Sequence, residues 1–127
     1  MPSDLLDSQA LKGQRGLRRI LNATGYSFAG LKAAFVGEAA FRQLVTLNLL
    51  LIPVACLLDV SRAERALLIA VVLLAPLVEL LNSAIEATVD RISLELHPLS
   101  KRAKDMGSAA QMLALVLISA VWATILL

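Results

Sequence analysis

Apolar residues fall into three long runs separated by short charged stretches, a pattern that predicts membrane-crossing helices rather than strands or a soluble core. The first run, Leu44 to Leu58, is apolar apart from Thr46 and Asn48, contains Pro53 and ends at Asp59. It is short for a span of about 20 residues, so its helix is expected to begin inside the preceding segment. Asp59 to Arg65 reads as a tight polar hairpin. A second run begins near Ala66, includes Pro76 and ends near Val89. Asp90 to Asp105 reads as a charged loop holding the only histidine, His97, then Pro98 and the basic group Lys101, Arg102 and Lys104. The third run, Met106 to Leu127, carries no charge, and Gly107, Ser108, Ala109 and Ala110 offer it a small-residue face for close packing. Transmembrane helices are thus predicted over about 44–58, 66–89 and 106–127.

Ahead of these runs the pattern changes. Met1 to Gln9 is expected to be a frayed, uncleaved cytoplasmic tail. Lys12, Arg15, Arg18 and Arg19 interleave with Leu17, Ile20 and Leu21, which suits a helix lying against anionic headgroups, or equally a plain excess of positive charge on the inner side. Ala23 to Gly30 reads as a turn-rich break, with Gly25 and Gly30 as punctuation. An amphipathic surface helix is predicted over about 31–43, where Leu31, Phe35, Glu38 and Arg42 share one stripe. Glu38 either pairs with Arg42 one turn on or reaches a polar site elsewhere. The fold class is an all-α membrane protein: a tail over 1–18, then a membrane domain over 19–127 of three transmembrane helices preceded by the surface helix.

The second run is not uniformly apolar. At about 100° per residue, Glu79, Asn82, Ser83, Glu86 and Asp90 fall within an arc of about 100° on one helix face, while Leu80, Leu81, Ile85 and Val89 point elsewhere. A charged residue at the centre of a bilayer costs about 2.5–3.5 kcal/mol on insertion scales. Two glutamates on a membrane helix therefore require a protein interior, a cation or a proton to satisfy them, and the default reading is a functional site.

Composition agrees with the pattern. The chain has 127 residues, of which 58% are hydrophobic and 17% charged, and a mean hydropathy of +0.77, which fits a small integral membrane protein. A net charge of +2 and an aromatic share of 4% provide neither the basic face nor the stacking platforms of a nucleic-acid binder. Cys56, the single cysteine, forms no intrachain disulfide and reads as a small apolar residue. Six Lys and Arg residues precede the first run, two lie in the first hairpin and four in the second loop. That bias orients the amino-terminus and the Asp90–Asp105 loop toward the cytoplasm and the carboxyl-terminus outward.

Carboxylates beside basic side chains are what a magnesium nucleotide requires: hard oxygens for the metal, Lys or Arg for the phosphates, and a further carboxylate as base toward an alcohol. Three spans with short connections cannot enclose a nucleotide alone, so such a site would lie between subunits. No phosphate-cradling loop is present: Gly25-Tyr-Ser-Phe-Ala-Gly30-Leu-Lys32 has the glycine spacing, but Leu31 occupies the lysine position. On these residues alone, an oligomeric channel or proton-coupled carrier with carboxylates along a water path stands level with an enzyme.

Several blocks break that tie. Ala23-Thr-Gly-Tyr-Ser, Gly30-Leu-Lys-Ala-Ala-Phe35, Glu38-Ala-Ala-Phe-Arg-Gln43, Glu79-Leu-Leu-Asn-Ser-Ala-Ile-Glu86, Val89-Asp-Arg-Ile92 and Ala103-Lys-Asp-Met-Gly-Ser-Ala-Ala110 resemble, in order and spacing, the prokaryotic diacylglycerol kinase family. The resemblance runs from about Arg19 to the carboxyl-terminus. It implies a homotrimer in the bacterial inner membrane that transfers the γ-phosphate of ATP to diacylglycerol, with magnesium as cofactor. Glu79 matches the family's general base, and Glu38 and Glu86 its metal-binding pair, which replaces the ion-pair reading of Glu38. Arg19, Tyr26, Lys104 and Asp105 match nucleotide-contacting positions, with Glu95, Leu96 and His97 near the nucleotide. The lipid surroundings match Arg19, Ala23, Thr24, Gly25, Tyr26, Ser27, Phe28, Lys32, Ala33, Ala34, Phe35, Glu79 and Ser108. Asn82 and Asp90 match further polar members of the site. His97, a lone loop histidine, reads equally as a solvated residue.

Two departures stand out. Phe28 replaces a tryptophan common in the family, and Leu44 replaces an acidic residue found in some members after Phe-Arg-Gln. Neither touches the chemistry, but both bear on lipid packing. A sister activity, phosphorylation of undecaprenol, is the nearest alternative, and the Lys-Asp-Met-Gly-Ser run leans toward diacylglycerol.

Overall fold

The computed structural model describes the backbone from Pro2 to Leu127 and the side chains from Arg15 onward; Met1 and the side chains up to Gln14, Lys12 among them, lie outside the described residues. The chain is all helical: α1 spans Pro2–Gly37, α2 Ala39–Leu57, α3 Arg62–Ile92 and α4 Pro98–Leu126. The last three are long and apolar enough to cross a membrane.

Helix α1 corrects two expectations. The segment expected to fray, Met1 to Gln9, is helical from Pro2 onward. The break expected over Ala23 to Gly30 is absent, and no described glycine has a positive φ. Thr24 and Ser27, residue types that often open turns, instead donate their hydroxyls to the carbonyls of Ile20 and Ala23, each at 2.9 Å. These i−4 bonds keep the polar groups inside the helix. The chain turns at Glu38, inside the predicted 31–43 helix, where φ is −123° and ψ is 110°. Leu31 to Gly37 therefore end α1, and Ala39 to Gln43 open α2. The guanidinium of Arg42 donates to the carbonyls of Phe35 at 2.7 Å and Val36 at 3.0 Å, satisfying the last turn of α1. Arg42 thus caps a helix instead of pairing with Glu38. The side chains from Arg15 to Ala33 are all exposed.

Helix α2 begins before its apolar run, as the shortness of that run required. Ser61 caps α3: its Oγ accepts from the Glu64 amide at 3.2 Å, while Glu64 Oε1 accepts from the Ser61 amide at 3.0 Å. This reciprocal box starts α3 at Arg62, a turn earlier than the expected Ala66. Arg65 then closes the first hairpin by donating to the carbonyls of Ala55 at 3.1 Å and Leu58 at 2.9 Å.

The second connection is far shorter than expected. Helix α3 continues to Ile92 and α4 starts at Pro98, so the predicted Asp90–Asp105 loop shrinks to Ser93–His97. His97 caps α4, its Nδ1 accepting from the Leu99 amide at 3.0 Å, and Pro98 supplies the preset φ of a first helical residue. Lys101, Arg102, Lys104 and Asp105 consequently stand on a helix.

Helix α3 is the central element, packing against α2 on one side and α4 on the other. Leu44, Val71, Val72, Ala75 and Ile118 form the buried cluster, with Trp122 packed against it. Across the α3–α4 interface the Trp122 indole donates to the Leu68 carbonyl at 3.2 Å. Across the α2–α3 interface Asn48 Nδ2 donates to the Val72 carbonyl at 2.9 Å. The small-residue face expected at Gly107–Ala110 reduces to Gly107, since Ser108, Ala109 and Ala110 are exposed. Neighbouring residues point about 100° apart, so the packed line of α4 recurs every three or four residues, through Gly107, half-buried Gln111, Ala114 and Ile118.

Candidate active site

The polar stripe of α3 is a gradient from interior to surface. Glu79 and Asn82 are buried, Ser83 and Glu86 are half-buried, and Asp90 is exposed. Two neighbouring elements complete the buried end. The turn between α1 and α2 presents half-buried Glu38, whose charge, with that of Glu86, bears on Glu79. On the other side α4 presents Gly107, where a Cβ would overlap Asn82 Oδ1. A side chain at this position would have to push the Asn82 amide aside. Asn82 Nδ2 reaches Glu86 Oε1 at 3.4 Å, whereas its Oδ1 is buried without a hydrogen-bond partner among the described residues.

The turn between α1 and α2 thus brings Glu38 near the Glu79–Glu86 stretch in the middle of α3, where Asn82 lies between the two acids. Among the described residues there is no group of three or more His, Cys, Asp or Glu side chains arranged to hold a metal. Magnesium, however, is usually held by one or two protein carboxylates, with phosphate oxygens and water completing the shell. Glu38 and Glu86 supply that type of donor, and the Asn82 amide braces one of them, so the residues fit the ion.

The exposed end of the stripe opens on a cavity of about 620 Å³ between the end of α3, the Ser93–His97 loop and the start of α4. Asp90, Glu95, Leu96, His97, Lys104 and Asp105 line it, together with Ser100 and Lys101. Lys104 reaches from α4 to Asp90 on α3 at 2.7 Å, and Lys101 to Asp105 one turn on at 2.6 Å. The sequence motifs assign neither Ser100 nor Lys101 to a site. The helix start at His97-Pro98 is the signal that could have found them, because it places 101, 104 and 105 on neighbouring turns of α4.

The residues matched to lipid and nucleotide on α1 are not brought to this cavity within one chain. Arg19, Ala23, Thr24, Gly25, Tyr26, Ser27, Phe28, Lys32, Ala33 and Phe35 are exposed, Ala34 is buried near the turn, and none of them lines the cavity. Ser108 is exposed on α4, one residue beyond the Gly107 contact. The chain therefore assembles the acidic cluster and a cavity of mixed charge, with Asp90, Glu95 and Asp105 beside Lys101 and Lys104, and leaves the α1 residues facing outward.

The family model described as prokaryotic diacylglycerol kinase matches residues 25–126. A diacylglycerol kinase of Pseudomonas aeruginosa is 78% identical over 116 residues, covering 91% of this chain and 94% of that protein. One from Escherichia coli is 53% identical over 111 residues, covering 87% and 91%. Another, from Haemophilus influenzae, is 49% identical over 111 residues, covering 87% and 94%. With matches of this extent and a carboxylate-bearing membrane helix at the centre of its fold, the chain belongs to the prokaryotic diacylglycerol kinase family.

Proposed function

We propose that this protein is a membrane lipid kinase that transfers the γ-phosphate of ATP to 1,2-diacylglycerol, giving phosphatidic acid and ADP. The observation that carries the reading is the buried Glu79 carboxylate, flanked by Glu38 and Glu86 and one stripe away from a cavity lined by Lys104. Family membership supports both the lipid substrate and the phosphotransfer.

In the proposed mechanism the lipid enters sideways from the bilayer and its free hydroxyl meets Glu79. The carboxylate takes the hydroxyl proton as the alcohol oxygen bonds to the γ-phosphorus, and the bond to the bridging oxygen breaks to release ADP. Glu38 and Glu86 would hold magnesium, which neutralises charge on the phosphate oxygens when bound. Lys104 and Arg19 complement the remaining phosphate charge. The cavity takes the nucleotide against Glu95, Leu96, His97 and Asp105, with Asp90 positioning Lys104 through their ion pair. Arg19 and Tyr26, exposed on α1, would reach a site completed by a neighbouring copy, which favours the homotrimer. The excess of basic residues before α2 and around the Ser93–His97 connection supports an inner-membrane topology with a cytoplasmic amino-terminus and a periplasmic carboxyl-terminus.

Purified protein in detergent, given labelled ATP and diacylglycerol with magnesium, is expected to form labelled phosphatidic acid. An undecaprenol arm should give little product. Undecaprenol as the better acceptor would move the assignment to the sister activity, and ion flux with no ATP consumption would replace it with a channel.

A further inference from the structure

A proline inside a helix has no N–H for the carbonyl four residues back. In α3 the proline is Pro76 and the vacated carbonyl is that of Val72. That carbonyl is satisfied from another helix: Asn48 Nδ2 on α2 donates to it at 2.9 Å, and to the Leu44 carbonyl of its own helix at 2.9 Å. Val72 is fully buried and Asn48 nearly so, so water does not take the place of the missing N–H. The amide occupies this apolar interface at a cost, since its Oδ1 is buried with no hydrogen-bond partner among the described residues. A leucine would fill the same face without an orphaned oxygen but would leave the Val72 carbonyl unpaired.

Position gives the contact its meaning. Every acid of the stripe lies beyond Pro76, and Glu79 lies within one turn of it. The first half of α3 is fixed by the buried cluster of Val71, Val72 and Ala75. The acid-bearing half is joined to it across a turn that lacks one backbone hydrogen bond, where proline permits bending. The Asn48 bond closes that turn from the side.

We propose that Asn48 is a positioning residue for Glu79: by satisfying the Val72 carbonyl vacated at Pro76, it fixes how the acid-bearing half of α3 sits against its neighbours. This rests on the reading of Glu79 as the group that accepts the lipid proton. Displacing a catalytic group by about 1 Å can cost on the order of 100-fold in rate, so a joint at this place is read out in turnover.

The test is a double-mutant cycle in the diacylglycerol kinase assay, with thermal unfolding followed in parallel. Wild-type protein that forms no phosphatidic acid defeats the functional reading itself, whatever Asn48 does. With wild-type active, Asn48→Leu is expected to lose about tenfold in kcat, with KM for ATP and lipid held within about twofold. Asn48→Ala carries the same expectation and covers poor accommodation of leucine. Pro76→Ala restores an N–H to the Val72 carbonyl. The double variant Asn48→Leu/Pro76→Ala is therefore expected within about twofold of Pro76→Ala alone. The inference is overturned by wild-type kcat in the Asn48 variants, by an equal loss in the Pro76→Ala background, or by a lowered melting temperature with kcat intact.

Discussion

The two halves of α3 belong to one continuous helix, yet their inner faces are opposites. Before Pro76, Leu68, Val72 and Ala75 are each 0% exposed and pack as hydrocarbon. After it, the interior side chains are Glu79 and Asn82, with Glu86 and Asp90 leading outward. One half holds the bundle together, and the other carries charge that only a ligand, a proton or a neighbouring group can satisfy. Stability and chemistry are thus assigned to different turns of one rod, so substitutions in each half should give different signatures.

The largest effect belongs to Glu79→Gln, which preserves shape but removes the proton acceptor. Turnover should fall by about 10³-fold, within the usual range for a general base, while circular dichroism and the melting temperature stay near wild type. A glutamine variant with near-normal turnover would end the base assignment. A smaller loss, about tenfold, is expected for Gly107→Ala, because the added Cβ displaces the Asn82 amide and with it the support of Glu86. Gly16→Ala, where a Cβ meets nothing within 4 Å, is the matched control and should keep full activity. Equal behaviour of the two variants would show that the α3–α4 contact is irrelevant to catalysis. The first half of α3 should show the reverse. Leu68→Ala opens a cavity in the apolar cluster and should destabilise by about 2–4 kcal/mol, yet kcat per folded molecule should change by no more than about twofold. A proportional fall in kcat would erase the distinction between the halves.

The sequence made the three spans legible because an apolar run is a direct record of which segments avoid water. It was less informative about where helices start. Ser61-Arg-Ala-Glu64 is a capping box and His97-Pro98 a cap followed by a helix-opening proline, but charged residues nearby drew both segments toward a loop reading. Ala23 to Gly30 failed for a related reason. In a turn Ser and Thr bond to the backbone ahead of them, whereas Thr24 and Ser27 bond one turn back and stay within the helix.

Of the site, the α3 stripe could be read from 100° periodicity alone, and the burial of Glu79 and Asn82 follows its order. What periodicity cannot supply is register between helices. That Gly107 would face Asn82, that Lys104 would meet Asp90, and that Asn48 would stand beside the carbonyl vacated at Pro76 all depend on how α2, α3 and α4 slide past one another. The meeting of Glu38 with the stripe likewise depends on the chain turning at Glu38 itself, one residue after Gly37.

The bond from Trp122 to the Leu68 carbonyl has a practical consequence. Trp122 is the only tryptophan in the chain, and it touches the apolar half of α3 while standing apart from the acids. Its fluorescence is therefore a built-in gauge of bundle integrity. A variant that stops working while its emission spectrum is unchanged has lost its chemistry, whereas one whose emission shifts to the red has lost its packing.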